Sequence, residues 1–566
     1  MPHCFLPAIS TLVLTLLLAG MPAVAAANDP VSERLRHRLE SVIEPMSLEA
    51  AGQTLFATSL LRELYEARGF QTLWLDEGRP LPALAELPEA IAGAHEEGLN
   101  PQDYHLEALQ AVMAEFEASG SDLPPRYVVD LELLATDAFL TLAKHYADGK
   151  VDPTRIDPSW FLSPRDTDLL PILDATLRGD LGSVVEATRG LLPSQPAYAA
   201  LRDRLALQRE FDASGEWTRV PPGPTLRRGD RGERVEALTR RLAELGDLET
   251  AWAENGSFDA IVEDAARRFQ TRHGLEPDAV VGPRTLAALN VSPAERIAQL
   301  QVNMERWRWL PLDLGTEYIL VNIASFSMSV HADGEEVFRQ PVVVGRPYRR
   351  TPVFSHRMTY LVLNPSWEVP PRLAAQDQLP LIRRDPEHLE RMGFDVLRGW
   401  GAAEERIDPA TVDWLSVSAS RFPFRLRQRP GPLNALGQVK FMFPNQHNVY
   451  LHDTPARGTF ASADRALSSG CIRLSDPIAL TEWLLARPGR PPIRTPQQIA
   501  AILESGVETT VRLRTPVPVH LLYWTAWVES DGRVHYTGDI YQRDGAVLEA
   551  LLLPPPSQNP TNGSIM

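Results

Sequence analysis

The sequence predicts a multidomain α+β protein. It has a helical N-terminal region, a compact helical unit and a β-rich C-terminal domain with an inserted subdomain. Three observations predict this. At 566 residues the chain is too long for one core, so roughly three or four domains are expected. In the N-terminal region leucines such as Leu55, Leu60, Leu61 and Leu64 recur at helical spacing, as do Leu131, Leu134, Phe139, Leu140 and Leu142. From Glu317 onward the hydrophobic period becomes that of strands.

Residues 1–27 read as a secretory signal peptide. Residues 12–19 are strongly apolar, Gly20 and Pro22 break the run, and Ala23-Val24-Ala25-Ala26-Ala27 offers small residues for cleavage. The alternative is an uncleaved membrane anchor; only then would the protein engage a membrane. The short apolar core favours cleavage. Residues 28–215 follow the helical pattern, broken at Asn100-Pro101 and Asp152-Pro153. Val220-Pro221-Pro222-Gly223-Pro224 is a linker by composition. Residues 226–290 form a compact helical unit whose first helix presents Val235, Leu238, Leu242 and Leu245 on one face.

Residues 316–513 form the β-rich domain. Asp333-Gly334 between strand-like runs marks a hairpin. Residues 371–430 interrupt the strands with a polar, Arg-rich, partly helical insertion, read as a lid. Residues 514–566 form a C-terminal β segment with a turn at Asp531-Gly532. A tail rich in Pro, Ser, Asn and Gly follows from Pro554 and is expected to be disordered.

The apolar fraction of 44% and charged fraction of 23% are those of a soluble globular protein. A net charge of −17 argues against a nucleic-acid binder, which would show a basic face. Only two cysteines occur, Cys4 and Cys471, and the first lies in the segment expected to be removed. A lone thiol in an exported protein cannot form an intramolecular disulfide. His452 precedes it and follows a strand-like Val449-Tyr450-Leu451, which would hold the imidazole rigidly.

A free thiol is only a few per cent thiolate at neutral pH, and an adjacent imidazole can take its proton and hold it as imidazolium. Cys471 is therefore the candidate nucleophile and His452 its base. His447 lies in a turn and ranks lower. Gly470 permits positive φ and close substrate approach; amides around it and Cys471 would face an oxyanion. No second cluster at ligand spacing accompanies His452-Asp453, so neither a metal nor a cofactor is expected.

The motifs Tyr450-Leu451-His452-Asp453-Thr454-Pro455 and Ser468-Ser469-Gly470-Cys471-Ile472-Arg473 resemble the signature of the L,D-transpeptidases, cysteine enzymes that remodel bacterial peptidoglycan. Here Ser469 stands where that signature usually has a second histidine. Asn364-Pro365-Ser366-Trp367 resembles the entrance to the lid of the long periplasmic branch, and Gly431-Pro432-Leu433-Asn434 its exit. Residues 226–290, with Phe269-Gln270-Thr271-Arg272-His273-Gly274 and Val281-Gly282-Pro283, resemble a peptidoglycan-binding domain, with Ala279 in place of the usual glycine. Gly69-Phe70-Gln71-Thr72-Leu73-Trp74 resembles the branch's scaffold domain.

The resemblance implies that Cys471 attacks a stem tetrapeptide, releases D-alanine and passes the acyl group to a diaminopimelate amine, giving a 3→3 cross-link. It implies the periplasm of a Gram-negative bacterium, peptidoglycan stem peptides as partners, other wall-synthesis proteins as candidate partners, and acylation of Cys471 by carbapenems. Tyr450 would line the site. Ser468, Ser469 and Arg473 would orient the loop or bind substrate carboxylates, although Arg473 and Asp476 can also pair. Trp367 would touch substrate at the lid hinge or pack in the core. Arg425 and Arg427 share a strand face and would bind stem carboxylates bidentately, the alternative being a solvated face. Two other functions remain open: the same thiol with water as acceptor, as carboxypeptidase or wall hydrolase, and a non-catalytic wall-binding scaffold.

Overall fold

The computed structural model describes residues 29–41, 47–119, 124–162, 165–252, 256–487 and 490–556. The signal-peptide expectation for 1–27 and the tail beyond 556 lie outside them. No helix among the described residues is long and apolar enough to cross a membrane.

The N-terminal region packs around the helix Pro125–Asp148, whose Leu131, Leu134, Phe139, Leu140 and Leu142 are fully buried. Helices Pro30–Glu40, Thr58–Ala67, Pro82–Ala92 and Leu106–Ser119 lie against it. Three helices, Glu233–Glu244, Ala260–Arg272 and Pro283–Leu289, enclose a separate core of Val235, Leu238, Leu242, Val262 and Phe269. Ala279 in their connecting loop sits at φ +60, the left-handed region that a glycine adopts without strain. The loop keeps the glycine conformation after losing the glycine.

The helix Pro293–Arg308 leads into the β-rich domain. It opens with a capping box in which Ser292 and Glu295 satisfy each other's amides. At its far end Arg308 and Glu305 are fully buried. Arg308 donates to Glu305 at 2.8 Å, to the Glu97 carbonyl at 2.9 Å and to Tyr198 Oη at 3.0 Å. Breaking a buried pair of this kind typically costs about 3–5 kcal/mol. The helical region and the β-rich domain therefore share one continuous core.

The β-rich domain begins with β1 (Glu317–Asn322), β2 (Ser327–Ala332), β3 (Glu335–Gly345) and β4 (Phe354–Leu363). The insertion carries β5 (Trp367–Glu368), β6 (Phe394–Arg398), β7 (Glu405–Ile407) and β8 (Arg425–Gln428). The domain resumes with β9 (Val439–Met442), β10 (Leu451–His452), β11 (Ala466–Ser468), β12 (Ile472–Leu474) and β13 (Thr509–Leu522). These form a nine-stranded sheet in the order β11-β3-β12-β10-β9-β4-β13-β1-β2, and an added β2–β3 pairing closes it on itself. Val439, Phe441, Leu451, Ile472 and Leu474 point into the core and are fully buried. The alternate residues of the same strands face outward.

Three sequence expectations change. The insertion is not strandless: β5–β8 form a four-stranded sheet over a private core of Val369, Leu379, Ile382, Phe394, Trp414 and Leu426. Its strands are short, and the alternation of Arg425 and Arg427 in β8 is the one mark of them read from the sequence. The boundary at 513/514 falls inside β13, which pairs with β4 and β1 along its length and is part of the sheet. Beyond the hairpin Ala526–Val528/Val534–Tyr536 the C-terminal segment forms a helix, Asp544–Leu552, that was expected neither as helix nor as packed. Its Val547 and Leu551 join the shared core, and Pro555, placed in the expected tail, is buried.

Candidate active site

Strands β10 and β12 run parallel, with Leu451 opposite Ile472 and His452 opposite Arg473. Leu451 and Ile472 are core residues, so Tyr450, His452, Cys471 and Arg473 fall on the outward face. Strand β9 adds to the same face: in the antiparallel β9–β10 pair Lys440 stands opposite His452. Its ammonium lies 4.1 Å from the centre of the Tyr450 ring.

Between β11 and β12 the chain turns through Ser469 and Gly470, and Gly470 has φ +123. Ser468 is buried and bridges the turn: its hydroxyl donates to the Cys471 carbonyl at 2.5 Å and accepts from the Gly470 amide at 3.0 Å. The Gly470 carbonyl accepts from Thr351 Oγ1 at 2.8 Å. Thr351 Oγ1 in turn accepts from the Gly345 amide at 2.9 Å, and the Thr351 amide donates to Tyr541 Oη at 3.1 Å. Tyr541, from the C-terminal segment, donates to the Gly345 carbonyl at 2.5 Å. A side chain at Gly345 would meet the Arg349 carbonyl at 2.1 Å, so only glycine fits that crossing.

The half-buried thiol of Cys471 lies 3.7 Å from the Asn448 carbonyl, its acceptor. Asn445 shapes the turn that presents this carbonyl: its side-chain oxygen accepts from the His447 amide at 2.9 Å and its nitrogen donates to the Val449 carbonyl at 2.7 Å. Burial pushes the thiol up from its usual range. The Tyr450 amide, Lys440, the Tyr450 hydroxyl and Arg473 all oppose that rise. Burial wins, so the resting sulfur is a protonated thiol surrounded by groups that favour its anion.

His452 is also buried, at 5% exposure. Its Nδ1 lies 2.5 Å from the Asp453 carbonyl. A carbonyl only accepts, so Nδ1 carries the proton and Nε2 keeps its lone pair. Burial, then the Arg473 guanidinium opposite, lowers its pKa to about 3. This corrects the expected imidazolium–thiolate pair: at rest the imidazole is neutral, because a cation there would be desolvated and face another cation. No hydrogen bond joins Sγ to the imidazole among the described residues; the recorded sulfur partners are Asn448 and Tyr450. Asp453 anchors the end of β10, accepting from the Gln438 amide at 2.8 Å and pairing with Arg457.

The other sequence candidates divide. Tyr450 bonds to Cys471 and accepts from Trp367, which ties the first strand of the lid to the sulfur's neighbour. Arg473 has no ion pair among the described residues and its buried Nε has no partner; Asp476, its expected alternative, instead caps the helix Pro477–Leu485. Exposed Ser469 accepts from Arg349 at 2.9 Å. Ser468 is committed to the loop backbone, the loop-orienting one of its two expected roles. The Gly470 amide is likewise spent on Ser468, leaving the Cys471 amide without an acceptor among the described groups. Arg425 and Arg427 are also corrected: both bind Glu368 and Glu404, at 2.8–3.1 Å, so their carboxylate positions are filled from within the lid. Arg425 further stacks on Trp400, 3.4 Å from the ring centre.

Sequence reasoning missed Lys440 and Asn448. Lys440 was within reach: counting outward from Gln446, at the centre of the turn between β9 and β10, pairs it with His452. Asn448 contributes a backbone carbonyl, which no side-chain pattern encodes.

Residues 316–519 match the model of the L,D-transpeptidase catalytic domain, residues 231–289 that of a peptidoglycan binding domain and residues 59–205 that of the Scaffold domain. A Haemophilus influenzae protein that goes by the name of L,D-transpeptidase is 37% identical over 246 residues, which is 44% of this chain and 48% of that protein. The chain thus spans about half the length of the curated relative it matches. Among solved structures, an L,D-transpeptidase from Xylanimonas cellulosilytica is 17% identical, covering 53% of this chain and 99% of that one, with a TM-score of 0.17. One from Stackebrandtia nassauensis is 14% identical, covering 54% and 97%, with a TM-score of 0.21. Scores that low add nothing to the sequence matches. The chain thus carries, in that order, a match to a scaffold domain, to a peptidoglycan binding domain and, over residues 316–519, to the L,D-transpeptidase catalytic domain.

Proposed function

We propose that this protein forms 3→3 cross-links in peptidoglycan through a thioester on Cys471. The observation that carries the proposal is the outward face shared by Cys471, His452 and Tyr450 on adjacent strands. In the first half-reaction Sγ attacks the carbonyl between the third and fourth residues of a stem tetrapeptide. The thiol proton passes to His452 Nε2 and then to the departing amine of D-alanine. The base is neutral and the thiol's pKa is raised, so proton transfer accompanies C–S bond formation rather than preceding it. Contact between Sγ and Nε2 tightens only with substrate bound, as catalytic hydrogen bonds often do. The free Cys471 amide and the Tyr450 hydroxyl supply the oxyanion donors. In the second half-reaction a diaminopimelate amine attacks the thioester, its proton leaves through His452, and the thiol is restored.

The proposed substrate would place its work in the periplasm, where stems are exposed, and the matched peptidoglycan binding domain supports a cell-wall context. Intact-mass measurement of the protein with a tetrapeptide donor tests the first step: a thioester adduct is expected on wild type and none on Cys471→Ala. Product analysis with an acceptor stem tests the second, cross-linked dimer being the expected product and free tripeptide the sign that water is the acceptor. A carbapenem adduct confined to Cys471 is a further expected readout.

A further inference from the structure

Between the catalytic loop and the base of the lid lies a cavity of about 530 Å³. Its walls come from three parts of the chain. Pro158 and Ser159 belong to the N-terminal helical region, Tyr348 and Arg350 to the turn after β3, and Arg372 to the lid's first helical turn; Ser469 reaches it from the catalytic loop. The helical region holds its wall in place through backbone pairing of Ser159 and Phe161 with Val353, at 2.9 and 2.8 Å.

The charge around this cavity is one-sided. Arg349 is paired, donating to both oxygens of Asp377 at 2.7 and 2.9 Å. Arg346, Arg350 and Arg372 form no ion pair among the described residues. Arg346 donates to Tyr348 Oη, Arg350 to the Pro347 carbonyl and Arg372 to the Gln376 side-chain oxygen, all neutral acceptors. Asp377 feels Arg346 and Arg372 at a distance, but its two oxygens already serve Arg349. Arg473, next to the sulfur, is unpaired too and feels Arg346 as a like charge. Two arginines without carboxylate partners, Arg350 and Arg372, thus line one cleft beside the paired Arg349, with Arg346 and Arg473 unpaired outside its walls, in a chain of net charge −17. Mutual repulsion makes such a cluster costly unless an anion completes it.

We propose that this cleft binds the carboxylates of a stem peptide, with Arg350 and Arg372 as the residues that read them. The inference rests on the proposed wall-peptide substrate and assigns its anionic recognition to the turn and lid base, not to β8. A guanidinium holds a carboxylate through two parallel N–H···O bonds, and such charge-assisted contacts set both position and affinity. The paired Arg349 fixes the geometry: it ties the lid, through Asp377, to Ser469 of the catalytic loop. A carboxylate bound here is therefore held at a fixed offset from Cys471.

The test measures binding on a Cys471→Ala background by titration calorimetry, so it does not depend on turnover. The probes are the stem tetrapeptide and the same peptide with its side-facing α-carboxylates converted to amides. The acid form is expected to bind at least tenfold more tightly than the amide, and Arg350→Gln with Arg372→Gln to remove that preference. Repeating the titration on wild-type protein acylated by a carbapenem at Cys471 separates the sources: retained binding assigns the cleft to the acceptor stem, lost binding to the donor. Iodoacetamide reactivity of Cys471 in the arginine variants on the wild-type background should be unchanged, which reports an intact loop. Equal affinity for both peptides, or a preference that survives both substitutions, overturns the inference. Absence of any thioester on the wild-type protein would instead overturn the function proposed above, and the binding ratio would still decide the cleft.

Discussion

Replacing Tyr450 by phenylalanine should raise the pKa of the Cys471 thiol by about 1–2 units. The phenol is hydrogen-bonded to the sulfur and is held there by the Trp367 indole. A hydrogen bond to a charged group contributes roughly 1.5–3 kcal/mol, and 1.36 kcal/mol corresponds to about one pKa unit. Phenylalanine keeps the ring beneath Lys440, so the substitution isolates the hydroxyl. The assay is the rate of iodoacetamide alkylation against pH, read by intact mass so that the adduct is assigned to Cys471. An upward shift of the midpoint is expected, with a roughly ten- to hundredfold slower reaction at pH 7. Trp367→Phe should shift it in the same direction by less, since it removes only the group that orients the phenol. An unchanged or lowered midpoint in Tyr450→Phe would refute the view that the hydroxyl stabilises the thiolate.

Four further outcomes follow from the geometry. His452, with its pKa lowered to about 3, stays neutral across the working range, so acylation should show no loss centred near pH 6.5. Because the unfolded imidazole takes a proton near 6.5 and the folded one does not, His452 makes stability decline as pH falls from about 6.5 toward 3; thermal melts of His452→Gln should show a shallower decline there than wild type. Gly470→Ala places a side chain at φ +123, a strain of about 1–3 kcal/mol, and should cut acylation by tenfold or more while circular dichroism stays native. Arg425→Ala should leave acylation within about twofold, because Glu368 and Glu404 are its partners, yet loosen the lid by about 1–2 kcal/mol, seen as faster proteolysis within residues 371–430.

The shared face of Cys471 and His452 was legible in the sequence because His452 lies on a short strand and Cys471 immediately before another, both flanked by apolar neighbours, and alternation alone puts Tyr450 and His452 on one face. The three-helix unit was legible for the same reason: Val235, Leu238 and Leu242 announce their helix locally. What stayed hidden depends on register or on distant contact. Lys440 reaches the site only through its pairing across a turn with His452. Arg350 and Arg372 meet only because the turn after β3 and the lid base fold to opposite walls of one cleft. Arg425 and Arg427 showed the opposite failure. Their alternation correctly gave a shared strand face, but Glu404, which helps occupy that face, sits far from them in sequence and carries no mark of the pairing. The helix Asp544–Leu552 was masked by strands on its N-terminal side and a proline run on the other.

The Tyr541 hydroxyl bears on where this chain can be cut. It braces the Gly345 carbonyl and meets the Thr351 amide, and Thr351 holds the Gly470 carbonyl immediately before Cys471. The matched catalytic domain stops at residue 519. A fragment trimmed to that boundary would retain every reacting side chain and still lose the strut that keeps the cysteine loop in shape. The final stretch of chain thus serves as a remote part of the catalytic apparatus, and its removal should disarm the protein without touching a single chemical participant.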